Sequence, residues 1–211
     1  MTTILQAELE FSLIDMAFKG GWLMLPLVLL SFVTIYLFSM KLWAIKKASV
    51  YNTELLDKVK ECINAGDYRQ AREICQQENS PIARMLEKGI SKIGRSAQDI
   101  QTSVENVGSI EIANLEKGLP MMATIAGGAP MIGFLGTVMG MVQAFFNMAQ
   151  AGSNIDITLL SGGIYTAMVT TVAGLIVGIM AYFGYNFLTS RVSNLVNKME
   201  HITIEFLDMV D

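Results

Sequence analysis

The chain has 211 residues and a formal net charge of −4; 52% of its residues are hydrophobic and 16% are charged. A mean hydropathy of +0.45 is too high for an ordinary soluble domain, so composition predicts a membrane protein. The small net charge, without any basic stripe, predicts no nucleic-acid partner.

Three long runs of sequence carry no charged residue, and they cover residues 20–40, 118–155 and 157–190. Each reaches the roughly 20 residues that a helix needs to cross a bilayer. At a rise of about 1.5 Å per residue, the second and third runs would form helices longer than the roughly 30 Å of hydrocarbon in a bilayer. We therefore predict an all-α membrane protein with three transmembrane helices, and a large cytoplasmic helical region formed by the loop at 41–117 and by extensions of the second and third spans.

The basic residues set the predicted orientation. Twelve of the 15 Lys and Arg residues lie in 41–117, and none lies in 147–161. The positive-inside rule then places 41–117 and the C-terminus in the cytoplasm, and the N-terminus and the turn at 147–161 in the periplasm. The first residues lack a basic start and carry acids, so we expect no cleavable signal peptide.

These observations predict the following order of elements along the chain. It comprises an outward-facing amphipathic helix at 1–19, a transmembrane helix at 20–42, a cytoplasmic helical region at 43–117, a second transmembrane helix at 118–147, a periplasmic turn at 148–160, a third transmembrane helix at 161–190 and a cytoplasmic C-terminal helix at 191–211.

Periodic apolar residues divide the cytoplasmic region into helices. The break at 65–67 predicts a helical hairpin, and Ser80 with Pro81 at the first helical position begins the next helix. Ser96 and Asp99 resemble a capping box, and the helix that they open is expected to run on into the second span.

The two cysteines, Cys62 and Cys75, lie in the predicted cytoplasmic region, where thiols stay reduced. Their spacing fits no metal or redox motif, so we interpret them as buried thiols. The single histidine, His201, is interpreted as a surface or packing residue. We expect no cofactor and no metal.

Small residues form one continuous face along each of the two long spans. In the second span they are Ala126, Pro130, Gly133, Thr137, Gly140 and Ala144, with Gly136 beginning a GxxxG motif. In the third span they are Gly163, Ala167, Thr171, Gly174, Gly178 and Ala181. Helices in lipid pack closely through such residues, and a lumen-lining role of the same faces remains open beside this packing role.

Four threonines supply the main hydroxyl groups at membrane depth: Thr137, Thr166, Thr170 and Thr171. A membrane threonine often bonds its own backbone one turn back. The alternative is a polar lining for an ion path, and it is favoured for Thr137 and Thr171 because both lie on the small faces.

Neither long span contains Asp, Glu, Lys, Arg or His. A proton relay through a membrane normally uses ionisable groups, so this chain alone is not expected to form a complete proton pathway. The spans also offer no acid, base, nucleophile or metal cluster for catalysis, so we predict no enzyme.

The motifs resemble the ExbB/TolQ/MotA proton-channel family, most closely its three-helix ExbB and TolQ branch. The resemblance lies in TIAGGAPMIGFLGTVMGMVQAF at 124–145, in GGIYTAMVTTVAGLIVGIMAYFGYNF at 162–187 and in SPIARMLEKGI at 80–90. Both membrane motifs are in register with the family pattern.

The resemblance implies a subunit of the bacterial inner membrane that forms a homopentameric ring in membrane lipid. The second and third helices of such a ring line a lumen that holds a single-span partner similar to ExbD or TolR, whose aspartate carries the proton. Proton flow then drives work passed to a protein similar to TonB or TolA, for outer-membrane transport. Thr137 and Thr171 match the positions that face the aspartate.

One departure from the family and two other functions remain open. Thr166 stands where many relatives have glutamate, which leaves open the proton exit and the choice between proton and sodium.

The alternative functions are a TolQ-like envelope or gliding motor and a non-conducting membrane scaffold. A secondary carrier has little support, because the three helices show no inverted repeat.

Overall fold

The computed structural model describes residues 21–49, 54–78, 80–151 and 157–210, and the amphipathic helix predicted at 1–19 lies outside them. The regular elements in the described residues are all α-helices. They are α1 (Met24–Ser49), α2 (Glu54–Asn64), α3 (Tyr68–Gln77), α4 (Pro81–Ile90), α5 (Ala97–Glu116), α6 (Leu119–Ala151) and α7 (Ile157–Asp208).

Among the residues that the structure describes, three helical segments are long and apolar enough to cross a membrane, and they overlap α1, α6 and α7. The prediction of an all-α membrane protein with three spanning helices is confirmed. Helix α7 runs without interruption to Asp208, so one helix contains both the third predicted span and most of the predicted C-terminal helix.

The chain divides into two compact units. The apolar unit contains the described residues up to Leu37 together with Met121–Tyr185. Its core is a cluster of side chains from α1, α6 and α7, consisting of Met24, Leu27, Ile125, Ala129, Val177 and Ala181. The close approach of three apolar helices therefore holds this unit together.

The charged unit contains Phe38–Pro120 and the described residues from Asn186 onward. Helices α2, α3, α4 and α5 form most of it, and its largest fully buried side chains include Ile82, Leu86 and Phe206. Glycine is required at position 89 of α4, because a side chain there would collide with Phe206 and Val104.

Local capping explains where the short helices begin. Gly66 adopts a positive φ of 74°, and the Asp67 side chain accepts a hydrogen bond from the Gln70 amide at the start of α3. Ser80 accepts from the Ala83 amide, with Pro81 at the first helical position of α4. The predicted hairpin and the predicted N-cap at Ser80 are confirmed.

A two-residue break interrupts the helix that was expected to run from 97 into the second span. Helix α5 ends at Glu116 and α6 begins at Leu119. Between them Gly118 adopts a φ of 94°, a left-handed conformation that costs glycine little and other residues more. The interruption coincides with the end of the charged sequence at Lys117.

Candidate functional site

Helices α6 and α7 pack antiparallel through their small faces. A methyl group on Gly174 would lie 2.6 Å from the Ala129 carbonyl oxygen and 2.8 Å from the Gly133 Cα. At the other end of the pair, a methyl group on Gly163 would lie 2.7 Å from the Ala144 Cβ. Later residues of α6 thus meet earlier residues of α7, with backbones so close that only glycine fits at these contacts.

Further small residues lie at the same contact. Gly178 faces the Pro130 ring and the Ala126 carbonyl oxygen, and Gly140 faces Ala167. Ala181 is fully buried in the core of the apolar unit. The two small faces that the sequence shows therefore meet each other within one chain.

Large apolar side chains occupy the opposite faces and are exposed. Met131, Phe134 and Val142 of α6 are examples, as are Met168 and Phe183 of α7. A span exposes such residues to lipid or to other chains. These outer faces are thus the surfaces of the α6–α7 pair that remain available for assembly.

Three of the four predicted threonines donate to backbone carbonyls. The Thr171 hydroxyl joins the two helices by donating to the Gly133 carbonyl at 2.8 Å. The Thr170 hydroxyl donates to the Thr166 carbonyl at 3.0 Å, and the Thr137 hydroxyl donates to the Phe134 carbonyl at 2.6 Å. Since a hydroxyl carries one proton and two lone pairs, these oxygens can still accept a hydrogen bond.

An open cavity of about 200 Å³ lies beside the small contact, in the apolar unit. Thr166 and Thr170 line it together with Gly136, Gly140 and Gln143, whereas Thr137 and Thr171 do not. The structure therefore separates the four threonines into a pair at the cavity and a pair away from it.

Gln143 is a polar residue that the sequence reasoning missed. Its side-chain amide donates to the Asn147 side-chain oxygen at 2.9 Å, one helical turn along α6. Two amides four residues apart in an uncharged run were the available signal, because such pairs interact on one helix face. Gln143 adds a donor and an acceptor to a cavity that two threonines, the Trp22 indole and apolar groups otherwise line.

Acidic, basic and histidine side chains are absent from the two long uncharged runs at 118–155 and 157–190. Within the described ranges, no group of His, Cys, Asp and Glu could hold a metal ion. In the charged unit, Glu87 accepts from the Gln76 amide at 2.7 Å and from Arg72 at 3.1 Å. The Gln76 hydrogen bond first, and the Arg72 guanidinium second, outweigh desolvation and hold the pKa of Glu87 below its ordinary value. These ionic contacts stabilise the charged unit and supply no group to the spans.

The fold and the site define a multi-pass membrane protein whose two long spans pack through small residues, carry hydroxyls and contain no Asp, Glu, Lys, Arg or His. The chain belongs to the MotA/TolQ/ExbB proton channel family, whose sequence model matches residues 77–201, more than half of the chain. The resemblance predicted from the membrane motifs is confirmed, and the family is one of channel and transport subunits that work in membrane complexes.

Individual relatives agree with the family. A biopolymer transport protein ExbB homolog of Methanothermobacter thermautotrophicus is 32% identical over 165 residues, which cover 77% of this chain and 57% of that protein. An ExbB-like protein of Synechocystis is 30% identical over 84% of this chain and 71% of its own length. The Tol-Pal system protein TolQ of Haemophilus influenzae is 34% identical over 46% of this chain and 42% of its own length.

Proposed function

We propose that this chain is the non-enzymatic ring subunit of an ion-driven motor in the bacterial inner membrane. Five copies surround the single helix of a partner similar to ExbD or TolR, and proton flow through the ring does mechanical work for TonB-dependent transport across the outer membrane. The ExbB relatives are named biopolymer transport proteins, and these names support transport as the process that the motor drives.

The observation that carries the proposal is a pair of spans with hydroxyls and without any carboxylate. A charged aspartate at the centre of a bilayer costs about 2.5 to 3.5 kcal/mol on insertion scales. A single interhelical polar contact contributes only about 0.6 kcal/mol. A site for the partner's aspartate therefore needs several hydroxyls plus water, or a carboxyl that is protonated where it meets them, and a ring of identical subunits supplies such a site.

The hydrogen bonds of Thr137 and Thr171 indicate which form of the aspartate they accommodate. Both hydroxyl protons are used by backbone carbonyls, so the threonine oxygens act as acceptors. We propose that they accept a hydrogen bond from the protonated carboxyl or from water. This favours the neutral aspartate in the lumen, which is the state in which a carried proton crosses the membrane.

The proposed orientation follows from charge. With the N-terminus in the periplasm and the C-terminus in the cytoplasm, the charged unit faces the cytoplasm and Thr166 lies nearer to the periplasmic turn.

The membrane potential supplies enough energy for the proposed motor. Each charge that crosses 100 mV releases about 2.3 kcal/mol, so repeated proton transfers supply energy for conformational work.

Alanine substitutions at the two lumen positions test the proposed role. Thr137→Ala combined with Thr171→Ala removes both acceptor oxygens, and we expect at least a tenfold loss of partner-dependent proton flux in liposomes. Thr34→Ala is the matched control, because the Thr34 hydroxyl also donates to a backbone carbonyl, that of Leu30 at 2.8 Å, but on α1. Unchanged flux in the double variant would exclude the lining role.

A non-conducting scaffold is the second candidate. It is favoured by the hydrogen bonds that Thr137, Thr170 and Thr171 donate to backbone carbonyls. If the hydroxyls only satisfy helix backbones, valine should replace Thr137 without loss of function, while bulky residues at Gly133 or Gly174 should prevent assembly.

An envelope motor is the alternative to a transport motor. The similarity to a TolQ protein of a Tol-Pal system supports this alternative.

A further inference from the structure

The charged unit contains an open cavity of about 390 Å³ that faces the basic end of α1. Trp43 and Lys47 of α1 line one side of it, Arg84 of α4 another, and Glu111 and Asn114 of α5 the third. The cavity serves neither the α6–α7 contact nor the threonine cavity, since all its lining residues lie in the charged unit.

The charges that line the cavity do not cancel. Arg84 and Glu111 neutralise each other through two hydrogen bonds of 2.7 and 2.6 Å. The Lys47 ammonium, in contrast, contacts the Trp43 ring at 5.6 Å from its centroid and forms no ion pair with any residue that the structure describes. The lining therefore has one unbalanced positive charge.

A second cation lies behind the lining. Lys41 is only 7% exposed, and its ammonium donates to the Asn114 carbonyl at 3.3 Å. Helix α1 itself carries no acidic residue between Met24 and Ser49. Lys41 thus adds to the positive potential that Lys47 produces.

The sequence locates this cavity at the surface of the bilayer. The uncharged run of the first span ends at Lys41, and Trp43, which is 67% exposed, follows two residues later. Tryptophan concentrates at the membrane–water interface, and lysine side chains extend from there to the headgroups. The cavity therefore lies at the level of the lipid phosphates.

We propose that this cavity binds the headgroup of an anionic phospholipid. Lys47 contacts the phosphate, and the Trp43 indole lies at the boundary between headgroup and acyl chains. Basic pockets beside transmembrane helices bind anionic headgroups in this way, because the phosphate gains both a counter-ion and a partly desolvated site.

Binding of phosphatidylglycerol to the detergent-purified full chain tests the proposal, with bound lipid counted by native mass spectrometry. One basic residue near an anionic surface contributes about 1 kcal/mol, so Lys47→Gln should weaken binding about fivefold. Lys46→Gln is the matched control, since Lys46 is the adjacent exposed lysine on α1 but does not line the cavity. It should change binding less than twofold, and Lys47→Arg should retain it.

Three results would each overturn the proposal. Equal weakening by the Lys46 and Lys47 variants would indicate general attraction to a basic surface, and equal binding of phosphatidylcholine would exclude selectivity for the anionic headgroup. Displacement of the lipid by inorganic phosphate at similar concentration would indicate a site for free anions. Because no ion flux is measured, failure here leaves the motor proposal unaffected.

Discussion

A threonine hydroxyl has one proton to donate, and the structure identifies acceptors for Thr137, Thr170 and Thr171 of the two long spans. Thr171 is distinctive because its shorter hydrogen bond, of 2.8 Å, goes to the Gly133 carbonyl on the other helix of the pair, while the Ala167 carbonyl of its own helix lies at 3.4 Å. Thr137 bonds only its own helix, to the Phe134 carbonyl. The same residue type therefore fixes a helix–helix contact at one position and leaves an oxygen at a half-exposed surface at the other.

The two cysteines should differ sharply in reactivity. Cys75 is buried, and burial first, with the negative charge of Glu87 second, raises the pKa of its thiol to about 12. Since only the thiolate reacts, roughly one Cys75 in ten thousand is reactive at pH 8. We expect N-ethylmaleimide to label the partly exposed Cys62 and to leave Cys75 unlabelled in the folded chain, as measured by peptide mass spectrometry.

Unfolding the chain in denaturant is the control for this measurement, because it should make both cysteines equally reactive. Rapid labelling of Cys75 in the folded protein would show that the packing of α3 against its neighbouring helices does not bury it. Sequence alone predicted reduced, buried thiols, but it could not rank the two, because burial depends on which helices cover each one.

At the scale of the elements, glycine positions should separate into those that hold α6 against α7 and those that do not. Gly174→Ala places a methyl group 2.6 Å from the backbone oxygen of Ala129, which cannot move without shifting α6. We expect a loss of about 1 to 3 kcal/mol in stability, measured by thermal unfolding in detergent.

Gly127 supplies the matched control on the same pair of helices. A methyl group there meets nothing within 4 Å, so Gly127→Ala should be neutral or gain up to about 1 kcal/mol from helix propensity. Similar losses in both variants would contradict the close contact between α6 and α7.

The Glu87 contacts predict how the charged unit responds to acid. A carboxyl whose pKa is lowered in the folded state adds stability above its unfolded pKa of about 4.3, and this stability disappears as the pH falls through the folded value. We expect acid unfolding, followed by circular dichroism, to depend less on pH in Glu87→Gln than in the unmodified chain.

Glu73→Gln is the control for acid unfolding, because the Arg69–Glu73 pair is exposed and such pairs contribute little. An acid transition that moves equally in both variants would show that Glu87 has no special role. The sequence predicted the helices that carry these residues, but Arg72 and Gln76 meet Glu87 only because α3 packs on α4.

Element boundaries followed from the sequence where a cap was visible. Asp67 and Ser80 are polar residues directly before periodic apolar runs, and both cap a helix. The break at Gly118 was missed because a single glycine is also tolerated inside a helix, and only its positive φ reveals the interruption. Periodicity likewise showed that two faces are small, but not that they pack against each other.

At the scale of the whole molecule, hydropathy was sufficient to predict the fold class. The sequence has three long apolar runs, and an apolar run that crosses a bilayer must be helical to satisfy its backbone hydrogen bonds. The candidate site was predicted only in part. Its threonines were visible as hydroxyls in uncharged runs, whereas the cavity with Gln143 depends on how α6 and α7 are placed in space. The carboxylate in our proposal belongs to a partner and not to this chain.

Proton flux into liposomes measures the central claim most directly. The purified chain is reconstituted alone, with its candidate single-span partner, and with the partner's Asp→Asn variant, and flux is followed with a pH-sensitive dye under an imposed potential. We predict flux only with the intact aspartate, because the runs at 20–40, 118–155 and 157–190 contain no Asp, Glu, Lys, Arg or His. Flux from the chain alone, or undiminished flux with the Asn variant, would contradict the proposed division of roles.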